Sequence, residues 1–195
     1  EEYGCISAHS CPIKETDPLH PMNIYAATKA CQEQTAEIYA RAYGLDIVMV
    51  RAFNHSGPKQ DSIFVMSDFC RQIADIEKGG KPPVMTVGNL AAMRDFTDVR
   101  DIVRGYRLLA EKGKSGEIYN IGSGKAVSIQ YILDTALKLS TVEIAVERDA
   151  KRMRASDIPI IEADTTKIYS DTGWKAEIAV EQTIEDTLNY WRKRS

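Results

Sequence analysis

The apolar positions change period along the chain, and each change marks an element. No breaker interrupts the stretch from Tyr25 to Tyr43. Pro21 sits where a first-turn proline is tolerated and Gly44 closes the run, so a long helix is predicted. Upstream, Pro12, Pro18 and Pro21 forbid a continuous helix across 5–22, which reads as a surface loop. Asp46-Ile47-Val48-Met49-Val50-Arg51-Ala52 is apolar and β-rich without clean alternation, as a strand covered on both faces of a parallel sheet would be. It runs into Phe53-Asn54-His55-Ser56-Gly57-Pro58, read as a polar turn. Residues 63–78 carry Ile63, Met66, Phe69, Ile73 and Ile76 at helical spacing, and Gly79-Gly80 stops that helix.

The second half continues the alternation. Val84-Met85-Thr86-Val87 predicts a short strand and Gly88-Asn89 a turn, while Phe96-Thr97-Asp98 leads into a helix from Val99 to Lys112 with Asp98 as N-cap. Glu117-Ile118-Tyr119-Asn120-Ile121 reads as a strand ended by Gly122-Ser123-Gly124, and Ser128 caps a helix through Leu139. Residues 142–146 alternate as a strand, 148–157 are charged and aperiodic, and 180–192 form an amphipathic helix. Strands alternating with helices place the chain in the α/β class.

Composition narrows the function classes. With 195 residues, 44% of them hydrophobic, there is ample material for a core. A net charge of -3 and a pI near 5.7 give no support for nucleic-acid binding through a broadly basic surface. Cys5, Cys11, Cys31 and Cys70 show neither Cys-x-x-Cys spacing nor histidines at zinc-ligand distances, so reduced thiols, a cytoplasmic location and no metal site are expected. No apolar run approaches the ~20 residues of a membrane span, and Glu1-Glu2-Tyr3-Gly4 does not begin a signal peptide.

Chemistry enters with Tyr25 and Lys29. On a helix they are one turn apart on the same face, so an ammonium sits beside a phenol and lowers its pKa from about 10. That makes Tyr25 a usable acid or base. With nine tyrosines the spacing also arises by chance, so the context decides. Ligands collect at the carboxyl ends of strands in open α/β sheets, which makes Asn54 and His55 candidates; a turn residue and a structural hydrogen bond are their plainer roles.

The context is a series of motifs in order: Tyr-x-x-x-Lys, then Arg51-Ala52-Phe53-Asn54-His55-Ser56-Gly57-Pro58. Val87-Gly88-Asn89-Leu90 and Arg94-Asp95-Phe96-Thr97-Asp98-Val99-Arg100-Asp101 follow, and Tyr119-Asn120-Ile121-Gly122-Ser123-Gly124 and Met153-Arg154-Ala155-Ser156-Asp157-Ile158-Pro159 complete it. Together they resemble the extended short-chain dehydrogenase/reductases of the NAD-dependent epimerase/dehydratase family, over nearly the whole chain. The resemblance implies the C-terminal part of an extended Rossmann-type enzyme. Residues 1–62 would be the remnant of the Rossmann domain. Residues 63–195 would mainly form a nucleotide-sugar-binding domain, with about 84–121 returning to the Rossmann sheet. The glycine-rich turn that holds dinucleotide phosphates in the family is not in the sequence, and Gly122-Ser123-Gly124 does not replace it.

The same resemblance implies roles. Tyr25 would protonate a sugar C4 carbonyl oxygen while NADPH or NADH delivers hydride, and Lys29 would lower its pKa and hold the nicotinamide ribose. Phe53, Asn54 and His55 would line the cofactor, with Asn54 also touching substrate. Arg94 and Arg154 would clamp the diphosphate, a role suited to guanidinium's fork of donors, and Asp157 would accept from the nucleotide ribose. Lys81 and Val87 are weaker candidates for the nucleoside pocket, and Glu1 aligns with a catalytic carboxylate of the dehydratases. The expected activity is reduction of a GDP-4-keto-6-deoxy sugar to GDP-D-rhamnose or a similar product, by a homodimer paired through the Tyr25–Lys29 helix. Alternatives are 4,6-dehydration of GDP-mannose, 4-epimerisation, and a non-catalytic nucleotide-sugar-binding module. Without the missing half, the fragment alone is expected to be inactive.

Overall fold

A computed structural model describes residues 2–4, 11–149 and 158–194. Its elements run α1 (Ile24–Tyr43), β1 (Met49–Ala52), β2 (Asn54–Ser56), α2 (Val65–Glu77), β3 (Val84–Val87), β4 (Met93–Asp98) and α3 (Val99–Lys112). They continue as β5 (Ile118–Ile121), β6 (Ala126–Ser128), α4 (Ile129–Lys138), β7 (Ala145–Arg148), β8 (Ile160–Ile161), α5 (Thr166–Thr172) and α6 (Val180–Arg194). The α/β class stands.

The long helices form where their ends are satisfied. Asn23 caps α1 by accepting from the Ala26 N–H at 2.8 Å, and Gly44 closes it in the left-handed region at φ 67°. Asp98 caps α3 through the Arg100 N–H and Ser128 caps α4 through the Tyr131 N–H.

Among the described residues three small sheets carry the strands. β1 pairs in parallel with β5, Met49 opposite Ile118 and Arg51 opposite Asn120. β2 pairs in parallel with β4, which takes β6 antiparallel and β8 parallel on its other stretch. β3 pairs in parallel with β7. Within 84–121, then, β5 reaches the β1 strand, whereas β3 belongs with β7. The first core lies between α2, α4, α6 and strands β3 and β4, around Phe69, Ile73, Met85, Ile132 and Leu188. A second joins β5 to α3 and α5 through Ile102, Tyr119, Ile121, Ile168 and Trp174. A third packs Tyr3, Ile13, Phe53 and Ala163.

Several expectations change. The polar turn at 53–58 contains a strand, β2, because Asn54, His55 and Ser56 find ladder partners in Phe96, Thr97 and Asp98. The strand expected over 46–52 starts at Met49, and the one expected over 142–146 lies at Ala145–Arg148, where β3 offers a partner. Strands β4, β6 and β8 and helix α5 have no counterpart in the sequence reading. Among the described residues no helix is long and apolar enough to cross a membrane.

Candidate active site

α1 presents the candidate acid. It buries only Ala26 and Ala30, leaving Tyr25 64% exposed on the open side of the helix. Lys29 is exposed one turn further on, and its ammonium donates to Gln32 Oε1 at 2.9 Å.

What ties this helix to the sheet is a polar network around Arg51 of β1. Its Nε and Nη2 each donate to the Glu33 carboxylate of α1 at 2.7 Å. Its Nη1 donates to the Tyr3 hydroxyl at 2.8 Å and the Glu15 carbonyl at 2.9 Å. The guanidinium also lies over the Tyr3 ring, 4.9 Å from its centroid. Tyr3 passes its own proton to Asn120 Oδ1 at 2.6 Å, and the Asn120 amide donates to the Ile13 carbonyl. Burial pushes the Tyr3 phenol up to about 12 despite the opposing Arg51 hydrogen bond. Burial, reinforced by the Glu33 charge, raises the Glu2 carboxyl above its ordinary value.

At the carboxyl end of β1, Phe53 is buried against Tyr3, ring centroids 6.1 Å apart, so its side chain serves the core. Asn54 and His55 are exposed on β2. The His55 Nδ1 lies 3.0 Å from the Phe53 carbonyl; donation there leaves Nε2 as an acceptor. Arg94 of β4 is half-buried, and its Nη1 donates to the Met93 and Ile158 carbonyls. Lys81 pairs with Asp75 of α2 at 2.8 Å. Val87 is buried in the first core, so its side chain lines no open pocket. Glu1, Arg154 and Asp157 lie outside the described residues.

Two groups that matter here were not singled out beforehand. Arg51 had a visible signal, a charge inside an apolar strand run, which demands a buried partner. Asp95 had none. Its buried carboxylate accepts from Ser123 N–H at 2.7 Å, Ser123 Oγ at 2.5 Å, Gly124 N–H at 2.9 Å and Ala163 N–H at 3.1 Å. Burial lifts its pKa above the ordinary value, and those four donors oppose the lift. The Gly122-Ser123-Gly124 turn thus wraps a carboxylate of the chain itself. A Cβ on Gly122 would lie 2.9 Å from Asp95 Oδ2 and 2.8 Å from the Ala163 Cβ. The Ser123 and Gly124 amides are thus committed to Asp95.

The arrangement offers an exposed phenol and ammonium on one helix, with Asn54 and His55 open at a strand end. Such groups can donate protons and hydrogen bonds to a ligand. Among the described residues there is no cluster of three or more groups suited to a metal ion.

Comparison with known proteins adds three findings. The family model described as GDP-mannose 4,6 dehydratase matches residues 1–187. Two relatives are a GDP-6-deoxy-D-mannose reductase of Pseudomonas aeruginosa, 31% identical over 98% of this chain and 63% of its own length, and a GDP-mannose 4,6-dehydratase of Sinorhizobium fredii, 26% identical over 98% and 60%. The structure of RMD from Pseudomonas aeruginosa complexed with NADPH overlays with a TM-score of 0.95 at 30% identity, covering 100% of this chain and 64% of that one. The chain therefore spans somewhat under two thirds of the relatives it matches.

Proposed function

The chain belongs to the GDP-mannose 4,6-dehydratase family, and from that premise we propose that it works as the carboxyl-terminal part of a nucleotide-sugar reductase. The reaction is reduction of the C4 ketone of a GDP-4-keto-6-deoxy sugar, giving GDP-D-rhamnose or a similar product. Bound NADPH or NADH supplies the hydride; the residues of this chain bind, orient and protonate. Tyr25 donates its phenolic proton to the C4 oxygen, and the Lys29 ammonium stabilises the phenolate that results. Asn54 orients the sugar, Arg94 and Arg154 hold the diphosphate, and Asp157 accepts from the ribose hydroxyls. Phe53 contributes backbone and packing at the cofactor end, with His55 beside it, while Lys81, Val87 and Glu1 remain secondary. In this reading residues 1–62 complete a Rossmann domain and 63–195 mainly form the sugar-nucleotide domain. Two copies pair through α1 in the cytoplasm.

The observation that carries this reading is the overlay with the NADPH complex at a TM-score of 0.95, together with a Tyr25 and Lys29 left open to a ligand. A second reading, 4,6-dehydration, draws support from the family model across residues 1–187. In a protein of the length its relatives have, Tyr25→Phe should lower turnover of the 4-keto sugar about 10²-fold or more and leave substrate affinity within a few-fold. Turnover near that of the unsubstituted protein would remove Tyr25 from the chemistry. Consumption of GDP-mannose without added nicotinamide cofactor would favour the dehydratase.

A further inference from the structure

Asn54 stands on β2, a strand of only three residues, and so short a ladder with β4 leaves the strand's ends to be held by other bonds. The near end is fixed at Phe53, whose N–H donates to the Ile121 carbonyl at 2.9 Å and whose ring packs against Tyr3. The far end meets Gln60. Its side-chain Nε2 donates to the His55 carbonyl at 2.9 Å, and its Oε1 accepts from the buried Ser56 hydroxyl at 2.5 Å. One amide thus clips the two residues that follow Asn54.

Gln60 is itself tied down. Its N–H donates to the Gly57 carbonyl at 3.2 Å, closing a turn, and its carbonyl accepts from Ser67 Oγ of α2 at 2.7 Å. Ser67 is fully buried, and its oxygen also accepts from the Trp191 indole N–H of α6 at 2.9 Å. The turn is tight on both sides. A Cβ on Gly57 would lie 2.8 Å from Val99 Cγ1 at the start of α3. Lys59 takes φ 76°, and no other non-glycine residue among the described ones lies in the left-handed region. A lysine adopts that conformation at a cost in energy, and it persists where the surrounding bonds over-determine it. Here the bend turns the chain back, so that Gln60 faces the strand it has just left.

We propose that Gln60 is a positioning residue for the reaction: its amide, anchored through Ser67 and Trp191, fixes the end of β2 and through it the placement of Asn54. This rests on the reading of Asn54 as the residue that orients the sugar. A misplacement of about 1 Å is enough to cost about 10²-fold in rate. A strand end that keeps its correct place about a tenth of the time should cost about 10-fold.

Two variants test this without touching Asn54. Gln60→Met keeps the length of the side chain and removes the amide, and Ser67→Ala removes the hydroxyl that holds the Gln60 carbonyl. In the 195-residue chain, amide hydrogen exchange over 54–56 should quicken about 10-fold or more in Gln60→Met and less in Ser67→Ala, while 118–121 keeps its protection. In a protein of the relatives' length, Gln60→Met should lower kcat about 10-fold with KM within a few-fold. Combined with Asn54→Ala, it should lower kcat little further than Asn54→Ala alone, because an effect transmitted through Asn54 is lost with it. A general loss of structure would instead add in full. Unchanged exchange over 54–56, a Gln60→Met kcat near that of the unsubstituted protein, or full additivity with Asn54→Ala would overturn the proposal. If Asn54→Ala itself leaves kcat unchanged, the reading of Asn54 fails, and the exchange result alone decides whether Gln60 holds the strand.

Discussion

Replacing Asp95 with asparagine isolates what one buried carboxylate does for three chain segments. Oδ1 accepts from the Ser123 N–H and hydroxyl, and Oδ2 from the Gly124 and Ala163 N–H groups. An amide has one acceptor oxygen and a donating nitrogen. If the nitrogen takes the Oδ2 place, two backbone donors are orphaned. If it takes the Oδ1 place, the Ser123 hydroxyl can rotate to accept from it, and only the Ser123 N–H is stranded. The second arrangement is the cheaper. A buried donor without a partner costs about 1–3 kcal/mol, and the surviving bonds lose the extra strength that a charge confers. Relief from burying a charge gives part of that back, since burial alone disfavours the Asp95 carboxylate. The net expectation is a loss of about 2–3 kcal/mol, or a melting temperature lower by ~4–12 °C for a chain of this size. Urea unfolding followed by circular dichroism, with Ser123→Ala as the milder reference at about 1 kcal/mol, measures it. Equal stability of Asp95→Asn and the unsubstituted chain would mean that these four bonds do not hold the Gly-Ser-Gly turn and Ala163, two residues past β8, together.

Gly105→Ala should destabilise although alanine is the better helix former by about 1 kcal/mol. A Cβ there would lie 2.2 Å from Ile121 Cδ1 and 2.9 Å from Trp174 Nε1; the isoleucine end can swing aside, but the buried indole cannot. With an overpacking cost of about 1–3 kcal/mol, a melting temperature above that of the unsubstituted chain would refute the packing geometry. Glu77 is held below its ordinary value of 4.5, first of all by its hydrogen bonds from Arg192, which donates to both carboxylate oxygens at 2.7 Å. Because the folded pKa is depressed, the stabilisation is complete above the unfolded value and is lost as pH falls through the folded one. Urea midpoints of Glu77→Gln should therefore lie below those of the unsubstituted chain at pH 7 and approach them under acid; a constant gap would exclude this linkage.

The long elements were legible because several levels of the sequence agree on them. α2, α3 and α4 combine helical spacing of apolar residues with a cap or a glycine stop, and their observed ends fall within two residues of the expected ones. β4 was not legible. Its six residues are Met93, Arg94, Asp95, Phe96, Thr97 and Asp98, and the last four are all buried, acids included. No alternation survives when both faces are covered and the polar groups are satisfied by distant segments: Asp95 by the turn at 123–124, Asp98 by Thr183 of α6. β6 and β8, of three and two residues, exist only because β4 offers them edges, a tertiary fact without local signature.

The site divides along the same line. Tyr25 and Lys29 could be placed on one side of a helix from spacing alone, but spacing says nothing of which way that side faces. Glu33 and Arg51, separated by 18 positions, are joined only once α1 folds back beside β1. An arginine in a strand with no charge beside it on the apolar run announces that some acid must come to it; the sequence offers 28 acidic residues and no way to choose among them. What selects Glu33 is helical geometry: only an acid on the side of α1 turned toward the strand can reach the fork, and within that helix Glu37 instead meets Arg41. The Tyr25–Lys29 spacing is therefore a local feature of the chain, whereas the Arg51–Glu33 pair is a property of the fold.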